Sequence, residues 1–468
     1  MTAIHNIAGR PDWVVDAVFY QIFPDRFRNA DRSLDPVGVQ RWGAPPDREH
    51  FQGGDLVGVV EGLAHLQRLG VTGLYLNPVF AAGTNHRYDT WDYFSVDPYL
   101  GDLGVLRELV DEAHHRGIRV VLDGVFNHCG AGHPAFRDWR ANGRRSPYAR
   151  WFTTWSPQPG SGLDYQTCGG ADYLPKLNVG NHEVRDHILR AATYWIEEAG
   201  IDGWRLDVPY KVPHDFWETF RATVKSVHPD AYLLGEVWRD ASLWLDVFDG
   251  VTNYRQRSNI LDFCLHDAFD GEDFAQETNE LLETHGSASA WMLNLVGSHD
   301  TARVLTLAGG SVDRVRCAFA AMFTLPGVPL IYYGDEIGLA GGDDPDCRRA
   351  MPWDEGAWNH EILSTVATLI AVRANSSALR RGAFRPLAAR NGLVAFERVA
   401  DDDRALVIIN PRGAQSDLRL PIDQSGGADP VPWCDMSTGG EHLVFDGCLV
   451  VERVEACSFS VIRPRLDR

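Results

Sequence analysis

The chain has 468 residues, of which 44% are hydrophobic and 23% charged, and its formal net charge is −20. This length is too great for one compact core and predicts two or three domains. The acidic balance argues against nucleic acid or an anionic membrane as a partner, because both would be repelled, and it is compatible with a neutral substrate.

Targeting signals are missing from the amino-acid pattern. The segment Met1–Trp13 has no basic flank followed by an apolar run, so no secretory signal is predicted. No stretch approaches the roughly 18 consecutive apolar residues of a membrane span. The eight cysteines are scattered without metal-ligand spacing, which is typical of reduced thiols. We expect a cytoplasmic protein, although a processed mature form would look similar.

An amphipathic helix, a glycine and a short β-rich run follow one another three times along the chain. The predicted helices are Asp55–Leu69, Asp102–Arg116 and His182–Ala199. The runs that follow them are Gly73–Asn77, Ile118–Asp123 and Gly203–Val208. Glycine tolerates the left-handed turn that ends a helix. This alternation predicts parallel strands that are joined by crossover helices.

Further β-rich runs extend the pattern to eight strands, which favours a closed barrel over an open sheet. They are residues 17–23, 231–237, 291–296 and 328–333, with a weaker candidate at 246–251. A segment rich in Gly, Pro and aromatic residues separates the second and third repeats. We therefore predict an α/β fold: a (β/α)₈ TIM barrel of residues 1–128 and 177–375, a small subdomain of residues 129–176 inserted after the third strand, and a C-terminal all-β domain of residues 376–468.

Acidic residues close several of the predicted strands. Asp123 closes the third strand, Asp207 the fourth and Glu236 the fifth, while Asp300 closes the seventh. The carboxyl ends of barrel strands meet at one mouth, and concentrating carboxylates there costs stability, which favours a functional role. Each residue alone has a structural alternative, such as a helix cap or turn for an Asp. The joint occurrence on four strands favours the functional interpretation.

Two of these carboxyl groups have the pattern that cleavage of a glycosidic bond needs. A retaining enzyme uses a carboxylate as nucleophile and a carboxylic acid about 5–5.5 Å away. Asp207 and Glu236 lie on adjacent strands and could supply this pair. Arg205 lies on the same face as Asp207 and could keep it ionised, or it could be a structural ion pair. Neighbouring carboxylates could keep Glu236 protonated.

The blocks at these strand ends resemble the α-amylase family of glycoside hydrolases, family thirteen. The matching blocks are Asp123-Gly-Val-Phe-Asn-His128, Gly203-Trp-Arg-Leu-Asp-Val208, Gly235-Glu-Val-Trp238 and Leu295-Val-Gly-Ser-His-Asp300. The resemblance implies Asp207 as nucleophile, Glu236 as general acid/base and Asp300 as transition-state stabiliser. It also implies a set of residues that hold the sugar, namely Arg205, His128, His299 and the aromatic platform Tyr88. The two histidines and Tyr88 could alternatively be buried structural groups.

Other blocks are similar to the neopullulanase, cyclomaltodextrinase and maltogenic amylase branch of that family. They are Leu174-Pro-Lys-Leu-Asn178 and Asp344-Pro-Asp-Cys-Arg348, in which Asp344 and Arg348 would bind the next sugar on the non-reducing side. Few residues precede the first predicted strand, so we do not expect the N-terminal β domain of that branch or its mode of dimerisation, and a homodimer is left open. The chain also has Val208-Pro-Tyr-Lys211 where the branch has Val-Ala-Asn-Glu. We expect Lys211 to contact substrate on the leaving-group side.

The resemblance implies a hydrolase of short or cyclic α-gluco-oligosaccharides, with cyclic maltosyl-maltose as one candidate. A transglycosylase or glucosyl isomerase would share the same intermediate and remains an alternative. A non-catalytic carbohydrate-binding barrel is disfavoured because all three carboxylates are present. No cofactor is required. A structural calcium ion is one interpretation of five residues that resemble a site in relatives, the other being an Asx-rich turn: Asn29, Asp31, Asp35, Gly53 and Asp55.

Overall fold

The computed structural model describes residues 9–155, 164–390, 392–400, 403–422 and 432–465. Eight parallel strands of this part of the chain form one sheet: β1 Phe19–Ile22, β2 Gly73–Leu76, β3 Arg119–Gly124, β4 Gly203–Leu206, β5 Tyr232–Gly235, β6 Gly250–Val251, β7 Leu293–Leu295 and β8 Val328–Tyr332. Their order is β6-β5-β4-β3-β2-β1-β8-β7. A parallel bridge between Thr252 and Leu293 joins the two ends of this order, so the sheet closes. The predicted TIM barrel is confirmed.

The barrel interior is filled by side chains. Residues from alternate strand positions form one buried cluster: Phe19, Tyr75, Val121, Tyr232, Leu234, Leu293, Leu295, Val328 and Leu330. A filled interior leaves the carboxyl ends of the strands as the place where polar side chains can meet.

Helices cover the outside of the barrel and connect its strands. The described α-helices are α1 Trp13–Asp16, α2 Pro24–Phe27, α3 Leu56–Leu69, α4 Leu103–His115, α5 Pro134–Asn142, α6 His182–Ala199, α7 His214–Val227, α8 Tyr254–Cys264, α9 Gly271–His285, α10 Val304–Leu307, α11 Val312–Thr324, α12 His360–Ala374 and α13 Ser377–Arg381. The Asp55 carboxylate accepts from the Gly58 amide at 2.6 Å and caps α3, which ends at Gly70 with φ 93°. The helix α6 has the bounds that the sequence predicts. No helix within the described residues is both long and apolar enough to cross a bilayer.

The segment after β3 packs around α5 and aromatic side chains. Phe136 lies 5.0 Å from Phe152 and 4.9 Å from Tyr165, measured between ring centroids. Antiparallel bridges from His128 to Lys176 and from Phe152 to Leu177 connect its two ends. The inserted subdomain is predicted at 129–176, of which residues 156–163 lie outside the described residues.

Two antiparallel sheets follow the barrel. Their strands are β9 Ala383–Arg390, β10 Leu393–Val399, β11 Arg404–Asn410, β12 Gln415–Pro421, β13 Trp433–Asp435, β14 Glu441–His442, β15 Val444–Phe445, β16 Cys448–Val454 and β17 Ser458–Pro464. One sheet has the order β9-β10-β11-β17-β13-β14 and the other β12-β16-β15. The C-terminal all-β character predicted from the sequence is confirmed. A hairpin of Phe80–Ala82 and Thr90–Val96 follows β2, and its connecting turn carries Tyr88.

Candidate active site

One buried guanidinium gathers carboxylates from three neighbouring strands. Arg205 Nη1 donates to both oxygens of Asp123, at 2.8 and 3.0 Å, and to Asp207 Oδ1 at 3.0 Å. Arg205 Nη2 lies 3.0 Å from Glu236 Oε1. Asp123 lies in β3, whereas Asp207 and Glu236 directly follow β4 and β5. Because Asp207 and Glu236 bind the two terminal nitrogens of one guanidinium, the two carboxyl groups lie close together.

Two further N–H groups point at Glu236. The Val208 amide donates to Oε2 at 2.9 Å and the Trp238 indole Nε1 donates to Oε1 at 3.0 Å. Val208 has φ 36° and ψ 50°, which is a left-handed conformation that a β-branched residue rarely adopts. Strain of this kind persists where the surroundings impose it, often at functional sites. Here the strained turn aims the amide that follows Asp207 at Glu236.

Asp300 joins the cluster from the loop after β7. Its Oδ2 lies 3.1 Å from His299 Nε2, and its Oδ1 accepts from Arg348 Nη2 at 3.3 Å. Arg348 Nη1 also pairs with Asp344 Oδ1 at 2.9 Å. The loop after β8 therefore places Arg348 in contact with the third carboxylate and Asp344 in contact with Arg348.

Tyr88 lies between the third strand and His299. Its hydroxyl donates to Asp123 Oδ2 at 2.8 Å and contacts His299 Nε2 at 2.7 Å. Its ring is stacked on the His299 imidazole with a centroid separation of 5.5 Å and an interplanar angle of 7°. Both rings are therefore held in a fixed orientation at the mouth.

Three buried polar residues of this network were not predicted from the sequence. Gln21 Nε2 contacts His299 Nδ1 at 2.8 Å and donates to Asn77 Oδ1 at 2.9 Å. The Tyr75 hydroxyl donates to Asp123 Oδ2 at 2.7 Å. Gln21 and Tyr75 lie within predicted strands and Asn77 closes one of them. Their common signal is a polar side chain near the carboxyl end of an otherwise apolar strand.

The electrostatics of the cluster differ from the sequence-based expectation that Arg205 keeps Asp207 ionised. Burial, and after it the Glu236 charge, raises the pKa of Asp207 well above its usual range, although Arg205 opposes this. The same two causes raise the pKa of Asp300 to about 7. The physical reason is that one guanidinium is shared among several buried carboxylates. The ligand-free cluster therefore retains a proton near neutral pH.

The two histidines are neutral at neutral pH. Burial lowers the pKa of His128 to about 4, and it lowers the pKa of His299 well below its usual value, to which Arg348 and Arg205 add. A neutral imidazole has one N–H donor and one acceptor, which suits a sugar hydroxyl.

Lys211 lies at the rim of the site. Its Nζ is 3.9 Å from Cys168 Sγ of the segment inserted after β3. The neighbouring Tyr210 side chain is 48% exposed. The loop after β4 therefore faces the inserted segment across the mouth.

The five residues of the predicted calcium site only partly converge. Asn29 Nδ2 donates to Asp35 Oδ1 at 2.7 Å, and a Cβ on Gly53 would lie 2.2 Å from that oxygen. Asn29 Oδ1 is buried and has no hydrogen-bond partner in the described part of the chain. By contrast, Asp55 accepts from the Ala30 and Asp31 amides at 2.9 Å. Asn29, Asp35 and Gly53 fit an oxygen-binding cation, and calcium remains a prediction.

Comparisons with known proteins agree with this geometry. The family model described as "Alpha amylase, catalytic domain" matches residues 21–382. A cyclomaltodextrinase from a Bacillus species is 47% identical over 419 residues, which are 87% of this chain and 75% of that protein. Neopullulanase 2 from Thermoactinomyces vulgaris is 44% identical over 441 residues, 92% of this chain and 75% of that protein. The structure of cyclic α-maltosyl-(1→6)-maltose hydrolase from Arthrobacter globiformis, in complex with that sugar, has a TM-score of 0.88 and 42% identity, and the match covers 97% of this chain and 100% of the other.

Proposed function

The chain belongs to the α-amylase family of glycoside hydrolases, and we propose that it cleaves α-glucosidic bonds of short or cyclic maltooligosaccharides with retention of configuration. The observation that carries this proposal is the shared guanidinium: Asp207 and Glu236 each bind one terminal nitrogen of Arg205, both at 3.0 Å. A retaining glycosidase needs its nucleophile and its acid/base group close together beside one anomeric carbon, and binding to one guanidinium keeps these two carboxyl groups close.

In the proposed first step, an Asp207 oxygen attacks the anomeric carbon while Glu236 gives its proton to the leaving oxygen and the glycosidic bond breaks. In the second step, Glu236 takes a proton from water, the water oxygen attacks the same carbon, and the bond to Asp207 breaks. Asp300 stabilises the positive charge that develops on the sugar ring. In the first step the mechanism requires a proton on Glu236 and a negative charge on Asp207.

The surrounding side chains suit a neutral sugar. Tyr88 presents an oriented ring, and the neutral imidazoles of His128 and His299 can hydrogen-bond to hydroxyl groups. Asp344 and Arg348 lie beside Asp300 and are our candidates for binding the next sugar on the non-reducing side.

The substrate proposal rests on the relatives. One acts, by its name, on cyclomaltodextrins and another on cyclic maltosyl-maltose, and the second matches this chain over nearly its whole length. We therefore propose a cyclic or short α-glucan with α-1,4 bonds, α-1,6 bonds or both. A homodimer and a cytoplasmic location remain predictions, which size-exclusion chromatography and cell fractionation would test.

The deciding variant is Glu236→Gln, which removes the proton that the leaving oxygen needs. We expect turnover of cyclodextrin, pullulan, maltotriose and cyclic maltosyl-maltose to fall by roughly a hundredfold or more, while sugar binding is retained. Glu108→Gln, at an exposed position of α4, is the control and should retain full turnover. Unchanged turnover in Glu236→Gln would remove this residue from the mechanism, and predominantly longer or rearranged products of the wild type would favour a transglycosylase.

A further inference from the structure

Trp238 donates a hydrogen bond to the proposed acid/base group and is held by a neighbouring ring. Its indole is stacked on the Tyr254 ring with a centroid separation of 3.7 Å and an interplanar angle of 6°. The Tyr254 hydroxyl lies 3.2 Å from Ser298 Oγ, which accepts from the Asp300 amide at 3.3 Å. The indole that binds Glu236 is therefore aligned by a residue that also contacts the loop of Asp300.

We propose that Trp238 is a positioning residue whose indole N–H holds Glu236 in its ionised, proton-accepting form and orients it for the second step of the reaction. This inference rests on the proposed function. The indole nitrogen only donates hydrogen bonds, so it cannot accept one when Glu236 Oε1 carries a proton. Its hydrogen bond must weaken when that oxygen is protonated, and it strengthens when Glu236 is a carboxylate.

Trp238 is the donor to Glu236 that a single substitution can remove selectively. The Val208 donor is a backbone amide, and Arg205 also binds Asp123 and Asp207. Trp238→Phe deletes the N–H and keeps an aromatic ring that can lie on Tyr254. The side chain is 40% exposed at the mouth, so it could also contact sugar, and the test must separate the two roles.

Several other titratable groups interact electrostatically with Glu236. They belong to the strands, the loops and the inserted segment that surround it: Tyr75, Cys168, Arg205, Asp207, Tyr210, Tyr254 and Asp300. All of them are unchanged in Trp238→Phe, so none of them accounts for a shift of the pH profile between the variant and the wild type.

The test is the pH dependence of kcat/KM, whose alkaline limb reports the acid of the free enzyme. Removing a donor that binds the carboxylate form favours the protonated form, so the acid should persist to higher pH. We expect the alkaline limb to move up by about one pH unit in Trp238→Phe. The leaving group of α-maltosyl fluoride needs no proton, so with this substrate Glu236 acts only as the base of the second step. Because Trp238 orients that base, we expect a lower kcat in Trp238→Phe.

Trp155→Phe is the matched control, because Trp155 is 71% exposed on the inserted segment and the change is the same. It should leave the limb in place. Trp238→Leu also has no side-chain donor and gives the same measurement if the Phe variant does not fold. A raised KM with an unmoved limb would overturn the proposal and make Trp238 a sugar platform only. The proposed function would fail separately, if the wild type hydrolysed none of the four glucans.

Discussion

The crowding of carboxylates at the barrel mouth should cost stability, and Asp300→Asn measures this cost. Burial and the Glu236 charge raise the pKa of Asp300 to about 7 in the folded chain. A carboxyl group with a raised pKa binds more protons in the folded state than in the unfolded state. Its contribution is therefore favourable at low pH and is lost as the pH rises through about 7. Asparagine has no such dependence.

The magnitude follows from the distance between the starting pH and the folded pKa. From about pH 5.5 to the pKa of about 7 is about 1.5 pH units. Each unit corresponds to about 1.36 kcal/mol, so the wild type should lose about 2 kcal/mol relative to Asp300→Asn between about pH 5.5 and about pH 8.5. The Asp300 side chain is 30% exposed, and solvent screening reduces the expected difference to about 1–2 kcal/mol.

Chemical denaturation at three pH values would give the free energy of unfolding of both proteins. Asp186→Asn, at an exposed position of α6, is the control, and its difference from the wild type should not vary with pH in this range. If the difference between Asp300→Asn and the wild type were also constant, the cluster would not be strained electrostatically in the way that its geometry indicates.

Two further predictions concern the stability of the mouth. Tyr88→Phe removes the hydroxyl that binds Asp123 and contacts His299, and we expect the free energy of unfolding to fall by about 1.5–3 kcal/mol in denaturation, with a lower kcat/KM. If calcium binds at Asn29 and Asp35, millimolar CaCl₂ should raise the melting temperature of the wild type and not that of Asn29→Ala; an equal response, or none, would contradict a site there.

The barrel and its carboxylates were predictable because both depend on local patterns. The helix α6 occupies its predicted bounds since the periodicity, the Asn181 cap and the stop at Gly200 agree. Asp207 and Glu236 were found because each ends a short apolar run. The sixth strand was weak in the sequence and is short in the structure, where Gly250–Val251 pairs with β5 at two positions.

The other buried polar contacts of the site depend on how neighbouring strands pair, and no pattern within a single strand predicts that pairing. Gln21 comes to lie beside Tyr75 because β1 and β2 pair in that register. The left-handed turn at Val208 was also unpredictable, since β-branched residues disfavour it and only the surrounding contacts impose it. The charge balance is not predictable from the sequence for a related reason: sequence spacing pairs Arg205 with Asp207 and does not show that Asp123 and Glu236 share the same guanidinium.

The two sides of the candidate site differ in how they are built. Tyr88, His299 and Arg348 are tied together by buried contacts to Asp123 and Asp300, so a change at any of them would disturb the proposed chemistry. The opposite rim is formed by the half-exposed side chains of Tyr210 and Trp238 together with Lys211. This rim includes Val208-Pro-Tyr-Lys211, where the sequence departs from the branch that it resembles. Exposed loop residues at the mouth can change without altering how the strands pair. We therefore expect the preference for α-1,4 or α-1,6 bonds to vary with this part of the rim, while the reacting carboxylates stay in place.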